Sequence, residues 1–425
     1  MSEQEKVPSL TATKGRRLTV AIFGRVNAGK SSLMNLLTGR QQSIVSATPG
    51  TTTDSVEKAM ELLDIGPVLF IDTPGIADDT ELGSLRRQST EQSISRADIA
   101  LLLFSGWETA EELKLAGRLA AADTPVIPVI SRADTYADGG SHFAAVVHER
   151  LSEAHIPHEA PVPVSSRDDE KAGYPGRDAI FTALKTIGTA VMTRSNLPLT
   201  RGLCETGDTV LLVMPQDKEA PVGRLILPQV ETIRELLDKD VTIISTTAGG
   251  LPRSLAALKE PPKLIITDSQ VFSVVRPQVP AGTMLTSFSI LFAAQKGDLS
   301  YFIQSARKVL LAKDGLRKGA RIVIAEACAH VPVNEDIGRV KLPKLLAKKF
   351  GSDFTLEFVN GRDFPDSLAD CDLIIHCGAC MFNRKLVMSR VAMAKNGPRP
   401  VPMTNYGIAI AALTGILDDV VFPAE

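Results

Sequence analysis

Two short stretches hold residue types that can grip a soft metal. His376-Cys377-Gly378-Ala379-Cys380 follows an apolar run, Leu373-Ile374-Ile375, and begins where that strand should end. Thiols two residues apart can both reach one metal or cluster, because a Cys-x-x-Cys turn brings its sulfurs together. Upstream, Cys328-Ala329-His330 again follows an apolar run, Arg321-Ile322-Val323-Ile324-Ala325. Three thiols and two imidazoles on two strand ends make a complete donor set for a metal centre. The alternatives are a redox pair of thiols and a chance Cys-x-x-Cys.

A second chemistry sits near the other end. The strand pattern Leu18-Thr19-Val20-Ala21-Ile22-Phe23 runs into Gly24-Arg25-Val26-Asn27-Ala28-Gly29-Lys30-Ser31, then into a helix from Ser32. In G-x-x-x-x-G-K-S the glycines let backbone amides curl around phosphates, and the helix N-terminus adds a positive dipole end. Lys30 would reach the β- and γ-phosphates and the Ser31 hydroxyl would ligate Mg²⁺. Gly50-Thr51-Thr52-Thr53-Asp54 lies in a loop that can close over that ion. A strand, Val68-Leu69-Phe70-Ile71, ends in Asp72-Thr73-Pro74-Gly75. Asp72 would hold Mg²⁺ through water, and the Gly75 amide would sense the γ-phosphate.

The strand over residues 125–130 leads into Ser131-Arg132-Ala133-Asp134, where a guanine-reading loop should be Asn-Lys-x-Asp. Asp134 can accept hydrogen bonds from the guanine N1–H and 2-amino group. Ser131 has no asparagine amide, and Arg132 replaces the lysine that lies along the base. Val164-Ser165-Ser166 fits the last nucleotide loop, and His142, His148, His155 and His158 read as surface residues.

Length and composition bound what surrounds these sites. At 425 residues the chain has room for about three domains. The formal charge of −2 argues against a general nucleic-acid binder, whose footprint is basic. Five cysteines in so long a chain do not form a disulfide scaffold. The polar start lacks the apolar core of a signal peptide. Apolar runs fall far short of the ~18 residues of a membrane span. The expectation is a cytoplasmic protein that binds neither membrane nor nucleic acid.

Residues 1–16 read as a disordered tail and 17–195 as an α/β P-loop GTPase domain. Residues 196–263 read as a small α/β dimerisation domain, with strands over 209–214 and 241–244 and a helix over 231–237. Such a unit has little core of its own, so pairing with a second copy would bury its face. Cys204 there reads as structural. Residues 264–425 read as an α/β iron–sulfur-binding domain. Strand-like runs, Leu264-Ile265-Ile266, Ser289-Ile290-Leu291-Phe292, Ile322-Val323-Ile324, residues 354–358 and Leu373-Ile374-Ile375, alternate there with helical ones. This predicts a parallel or mostly parallel sheet, with ligands beyond the strands' carboxyl ends. Cys328, Cys377 and Cys380 then share one edge, and Cys371 lies at the far end. Three thiolates suit a [4Fe–4S] cluster with His330, His376 or an outside group as fourth partner. A Cys₃His zinc site is the rival, against which the bare Gly378-Ala379 turn weighs.

The P-loop, Gly50-Thr51-Thr52 and Asp72-Thr73-Pro74-Gly75 together resemble the TrmE–Era–EngA branch of GTPases. The resemblance implies that Gly24, Asn27, Ala28, Gly29, Lys30, Ser31 and Ser32 cradle GTP or GDP. It also implies Thr52 as the switch threonine on Mg²⁺ and Asn27 as part of a K⁺ site. Ile76 stands where Ras-like enzymes carry their water-orienting glutamine, so slow, K⁺-stimulated GTP hydrolysis is expected.

The chain is further similar, over nearly its whole length, to the [FeFe]-hydrogenase maturation GTPase family. The likeness rests on Cys-x-His and a later His-Cys-x-x-Cys behind a GTPase. It also includes Ala220-Pro221-Val222-Gly223-Arg224-Leu225-Ile226-Leu227-Pro228-Gln229 and Thr404-Asn405-Tyr406-Gly407. This implies a homodimer or higher homo-oligomer with a [4Fe–4S] cluster on Cys328, Cys377 and Cys380. It would serve as a scaffold for the di-iron subcluster, working with the radical-SAM maturases HydE and HydG and the apo-hydrogenase. Two competing readings stand beside it. One is a regulatory GTPase with a structural zinc site, acting in RNA or ribosome maturation; the other is a thiol–disulfide enzyme using Cys377 and Cys380.

Overall fold

The computed structural model describes residues 17–39, 56–62, 65–75, 81–165, 175–215, 225–327 and 336–424. They fall into two compact units, Met1–Ser195 and Asn196–Glu425. Residues 1–16, Gly50, Thr51, Thr52, Ile76, Ser166, Cys328 and His330 lie outside the described residues, as does 220–224 of the middle motif.

In the first unit β1 (Leu18–Phe23), β2 (Val56–Leu62), β3 (Gly66–Asp72), β4 (Ile99–Phe104), β5 (Val126–Ser131) and β6 (Val162–Val164) form one sheet, ordered β2-β3-β1-β4-β5-β6. Only edge strand β2 runs antiparallel. The helices are α1 (Lys30–Thr38), α2 (Glu81–Arg96), α3 (Ala110–Ala121), α4 (Ser141–Glu153) and α5 (Pro175–Ser195). Every residue of β1, β4 and β5 is buried. Strands covered on both faces read as continuous apolar runs rather than alternating ones. Accordingly, one core cluster holds Val20, Ile22 and Leu101, and the cluster on the other face holds Ala21, Phe23 and Leu102.

The second unit contains two four-stranded parallel sheets. In the first, β7 (Thr209–Val213), β8 (Thr242–Thr246), β9 (Leu264–Thr267) and β10 (Met284–Ser287) are ordered β10-β9-β7-β8. In the second, β11 (Ala320–Glu326), β12 (Phe354–Asn360), β13 (Cys371–His376) and β14 (Met403–Asn405) are ordered β12-β11-β13-β14. The helices are α6 (Leu227–Asp238), α7 (Leu251–Ala256), α8 (Phe272–Val275), α9 (Phe288–Lys296), α10 (Leu299–Ala306), α11 (Leu342–Phe350), α12 (Arg384–Asn396) and α13 (Tyr406–Leu413). One core cluster runs through both sheets, joining Leu211 and Ile265 to Ile322 and Ile374 through α13. From Tyr406 to Ala412 every α13 residue is buried, and a helix apolar all round belongs inside.

Two expectations are corrected here. Leu264-Ile265-Ile266 is a strand, but it pairs with β7 (Val210↔Leu264), so the middle sheet extends past residue 263 to Ser287. Ser289-Ile290-Leu291-Phe292 is not a strand; it lies in α9, where the Ser287 hydroxyl caps the helix by accepting the Ile290 N–H. A short, wholly buried apolar run carries no period to separate helix from strand.

Candidate functional site

The carboxyl ends of β1, β3 and β5 surround the first site. Gly29 enters α1 at φ 96° and Asn27 turns at φ 61°, which folds the loop back under the helix start. The loop and the segment after β5 line a cavity of about 720 Å³ that includes Asn27, Lys30, Ser31, Ser131, Arg132 and Asp134. Ala28, Gly29 and Ser32 line it too. Lys30 is buried, and its ammonium donates to the carbonyls of Gly24 (3.1 Å) and Arg25 (2.9 Å). The Ser31 hydroxyl donates to Asp72 Oδ2 at 2.6 Å. Burial pushes the Asp72 carboxyl up, against the Ser31 hydrogen bond and the charges of Lys30 and Lys58. An acid so placed gains most from a cation, and Ser31 and Asp72 fit a shared Mg²⁺.

Gly75 shows why that position admits no side chain. A Cβ there would lie 2.6–2.8 Å from the Cγ2, Cα and N of Val26, in the phosphate loop itself. The backbone of residue 75 is therefore packed against the loop. Ser165 is buried at the end of β6, and Asp134 is exposed on the cavity wall.

Three residues make contacts that had no signal in the sequence. Arg25 forms an ion pair with Glu112 Oε1 at 2.5 Å and also donates to the Glu108 carbonyl, tying the loop to α3. The Arg132 guanidinium donates to the Asn27 carbonyl at 2.6 Å. The Ser131 hydroxyl donates to the Phe104 carbonyl at 3.3 Å. Each partner lies more than 25 residues away, so only folding reveals the pairing.

The second site is built where β11, β13 and β14 end. The Cys377 amide continues the ladder by donating to the Ala325 carbonyl at 2.9 Å. The Cys377 sulfur accepts N–H groups from Ala327 (3.0 Å) and Ala379 (3.4 Å). Ala379 adopts φ 50°, and Phe382 N–H closes the turn on its carbonyl at 3.0 Å. Burial pushes the Cys377 thiol up to about 11. A sulfur that receives two amides yet stays protonated lacks one thing, a cation to displace its proton. Such a sulfur suits a soft metal or cluster, which Cys377 would ligate. Among the described residues no group of three or more His, Cys, Asp or Glu is placed to hold a metal ion. Nor does a disulfide join the described cysteines.

His376 takes another role. It is buried, with Nδ1 2.8 Å from the Cys377 carbonyl and Nε2 2.8 Å from Arg390 Nη1. A carbonyl only accepts and a guanidinium only donates, so Nδ1 carries the proton and both ring nitrogens are engaged. Burial, with the charge of Arg390, pushes the ring down to about 3, so it stays neutral. As a fourth metal ligand His376 is therefore corrected: it positions the turn. Arg390 also donates to the carbonyls of Gly361 (2.9 Å) and Asp363 (3.2 Å). Buried Lys296 donates to the carbonyls of Ala379 (3.3 Å) and Phe382. The two buried cations thus clamp the thiol loop from α12 and α9. Cys371 is buried at the start of β13, the far end, as expected. Cys204 is buried, and His142, His148 and His155 are exposed, also as expected.

Comparison with known proteins divides the chain as the folding does. Residues 19–132 match the family model of a 50S ribosome-binding GTPase. GTPase Der of Chloroflexus aurantiacus is 36% identical over 153 residues, 34% of this chain and 33% of that protein. A tRNA modification GTPase MnmE of Synechococcus is 36% identical over 171 residues, 39% of this chain and 36% of that protein. The chain thus spans about a third of the length of the curated relatives it matches. Era of Aquifex aeolicus, solved with GDP·AlF₄⁻, superimposes at TM-score 0.32 and 21% identity, over 54% of this chain and 92% of that one. Residues 199–297 match the hydrogen maturase F dimerization domain and residues 300–423 its tetramerization domain. With a GTPase domain ahead of these two domains in this order, the chain belongs to the hydrogen maturase F family.

Proposed function

We propose that this protein is a GTP-hydrolysing scaffold that binds a [4Fe–4S] cluster and takes part in assembling the di-iron subcluster of [FeFe]-hydrogenase and delivering it. One observation carries the reading. The Cys377 sulfur accepts the N–H of Ala327, the residue that precedes Cys328 in the sequence, which supports a cluster shared by the two motifs. Cys328, Cys377 and Cys380 hold the cluster, and His330 or an outside group fills the remaining position. Such a cluster supplies an iron site with an exchangeable partner.

Around it the chain's own residues hold the loop in place. Arg390 and His376 fix the turn, and Lys296 satisfies its carbonyls. In the first unit the loop from Gly24 to Ser32 cradles the phosphates. Lys30 leaves its two carbonyls for the β- and γ-phosphates. Ser31, Thr52 and Asp72 hold Mg²⁺, the Gly75 amide meets the γ-phosphate, and Asp134 with Ser165 takes the guanine. Asn27 contributes to a K⁺ site, and hydrolysis is slow without that ion. The protein works as a cytoplasmic homo-oligomer with HydE, HydG and the apo-hydrogenase. Its GTP state biases which partner docks.

Anaerobic purification tests the cluster. The expected result is brown protein with about four irons and four sulfides per chain and an EPR signal after reduction. Colourless protein with stoichiometric zinc, or metal-free protein with a reversible Cys377–Cys380 disulfide, overturns it. Hydrolysis rates in potassium and in sodium buffers test the ion dependence.

A further inference from the structure

The Thr404-Asn405-Tyr406-Gly407 segment holds a buried hydroxyl without a hydrogen-bond partner among the described residues. Tyr406 is only 8% exposed, and its Oη has no hydrogen-bond partner. A buried phenol ordinarily finds an acceptor, because leaving the donor unpaired forfeits its hydration. Its position is fixed from two sides. The register His376↔Asn405 places Tyr406 beside Cys377 as both strands end. Close packing on Gly338 fixes the hydroxyl itself. A Cβ on Gly338 would lie 2.3 Å from Tyr406 Oη and 2.6 Å from Glu326 Oε1, so hydroxyl and carboxylate are neighbours at the end of β11. Glu326 does not take the proton as a hydrogen bond, and its Oε2 is held by Arg339 at 3.1 Å. Two other buried polar atoms on the elements framing the thiol loop are orphaned as well, Thr404 Oγ1 and Arg390 Nε. An unsatisfied buried polar group in a native fold calls for a partner.

We infer that Tyr406 is a positioning residue whose O–H donates a hydrogen bond to the group held by Cys377 and Cys380. The acceptor is either an inorganic sulfide of a cluster or an anion bound to the iron that the cysteines leave open. This rests on the cluster reading above, and iron content separates the two. A hydrogen bond to a sulfide stabilises the more negative, reduced form, so the hydroxyl raises the reduction potential. The neighbouring Asn405 side-chain oxygen is already occupied, accepting from Gly407 N–H and the Ser289 hydroxyl.

The test compares the full-length chain with Tyr406→Phe, which keeps the ring, each prepared iron-loaded and iron-free. Expected are equal iron per chain and a midpoint potential shifted negative in the variant by EPR-monitored titration. The iron-free variant should melt no lower than the iron-free parent. If the potentials agree, cyanide is added to both. Cyanide affinity at least threefold weaker in the variant assigns the hydroxyl to an anion on the open iron. Equal potentials with equal cyanide affinity overturn the inference, as does an iron-free variant that melts lower than its parent. A parent without iron overturns the cluster reading instead.

Discussion

The two sites solve opposite electrostatic problems. At the phosphate loop the polar groups satisfy one another across an open cavity: Lys30 on two carbonyls, Ser31 on Asp72. Each is an exchangeable bond that a nucleotide and its ion can replace one for one. At the thiol loop the groups are desolvated, and burial keeps Cys377 protonated and His376 neutral. Orphaned atoms remain there. The first arrangement suits a substrate that comes and goes. The second suits a resident group whose own charge completes the balance.

If that contrast holds, each site can be destroyed without touching the other. Lys30→Ala should lower GTP turnover by about 10²–10³-fold, because one preorganised cation facing the phosphates is lost. Iron per chain should stay unchanged; a matching loss of iron would merge the two sites into one. Conversely, Cys377→Ser should lower iron per chain by roughly tenfold or more, since a lost ligand costs at least what a lost supporting group does. GTP hydrolysis by that variant should stay within about twofold of the parent, near the scatter of a surface substitution.

Arg390→Met sharpens the difference in burial. Removal of the guanidinium leaves His376 Nε2 and the carbonyls of Gly361 and Asp363 without a donor. At about 1 kcal/mol or more for each stranded acceptor, unfolding should become easier by about 3 kcal/mol. Thermal unfolding followed with the metal removed reads this directly. An unchanged Tm would mean that water replaces the arginine and that the loop is not clamped.

What the sequence revealed follows the same division. The phosphate loop is chemistry held within a few consecutive residues, so Gly29, Lys30 and Ser31 announce it, and Asp72 and Gly75 follow at the end of the next strand but one. The parallel sheet and the shared edge of β11 and β13 were also legible, from the alternation of strands and helices. The clamp on the thiol loop was not. Arg390 lies 14 residues beyond His376, and Lys296 lies 83 residues before Ala379. Neither spacing distinguishes a buried cation from an ordinary helix charge. His376 looked like a ligand because its type allows it, and only the two partners on its ring show otherwise. The α9 run was misread for the reason that makes it stable, uniform burial.

The smallest expected effect concerns the segment where the guanine loop departs from its usual residues. Arg132 is exposed, and one of its guanidinium nitrogens reaches the Asn27 carbonyl across the cavity at 2.6 Å. Its place on the cavity wall ties the base-reading segment to the phosphate loop, which is a positioning role open to any long cation. Arg132→Lys should therefore weaken binding of fluorescent GDP by less than about twofold. Arg132→Ala should weaken it by about fivefold, the cost of one exposed hydrogen bond of about 1 kcal/mol. If lysine proves as damaging as alanine, the planar guanidinium itself is required. The residue would then act by lying along the base, with the carbonyl contact secondary.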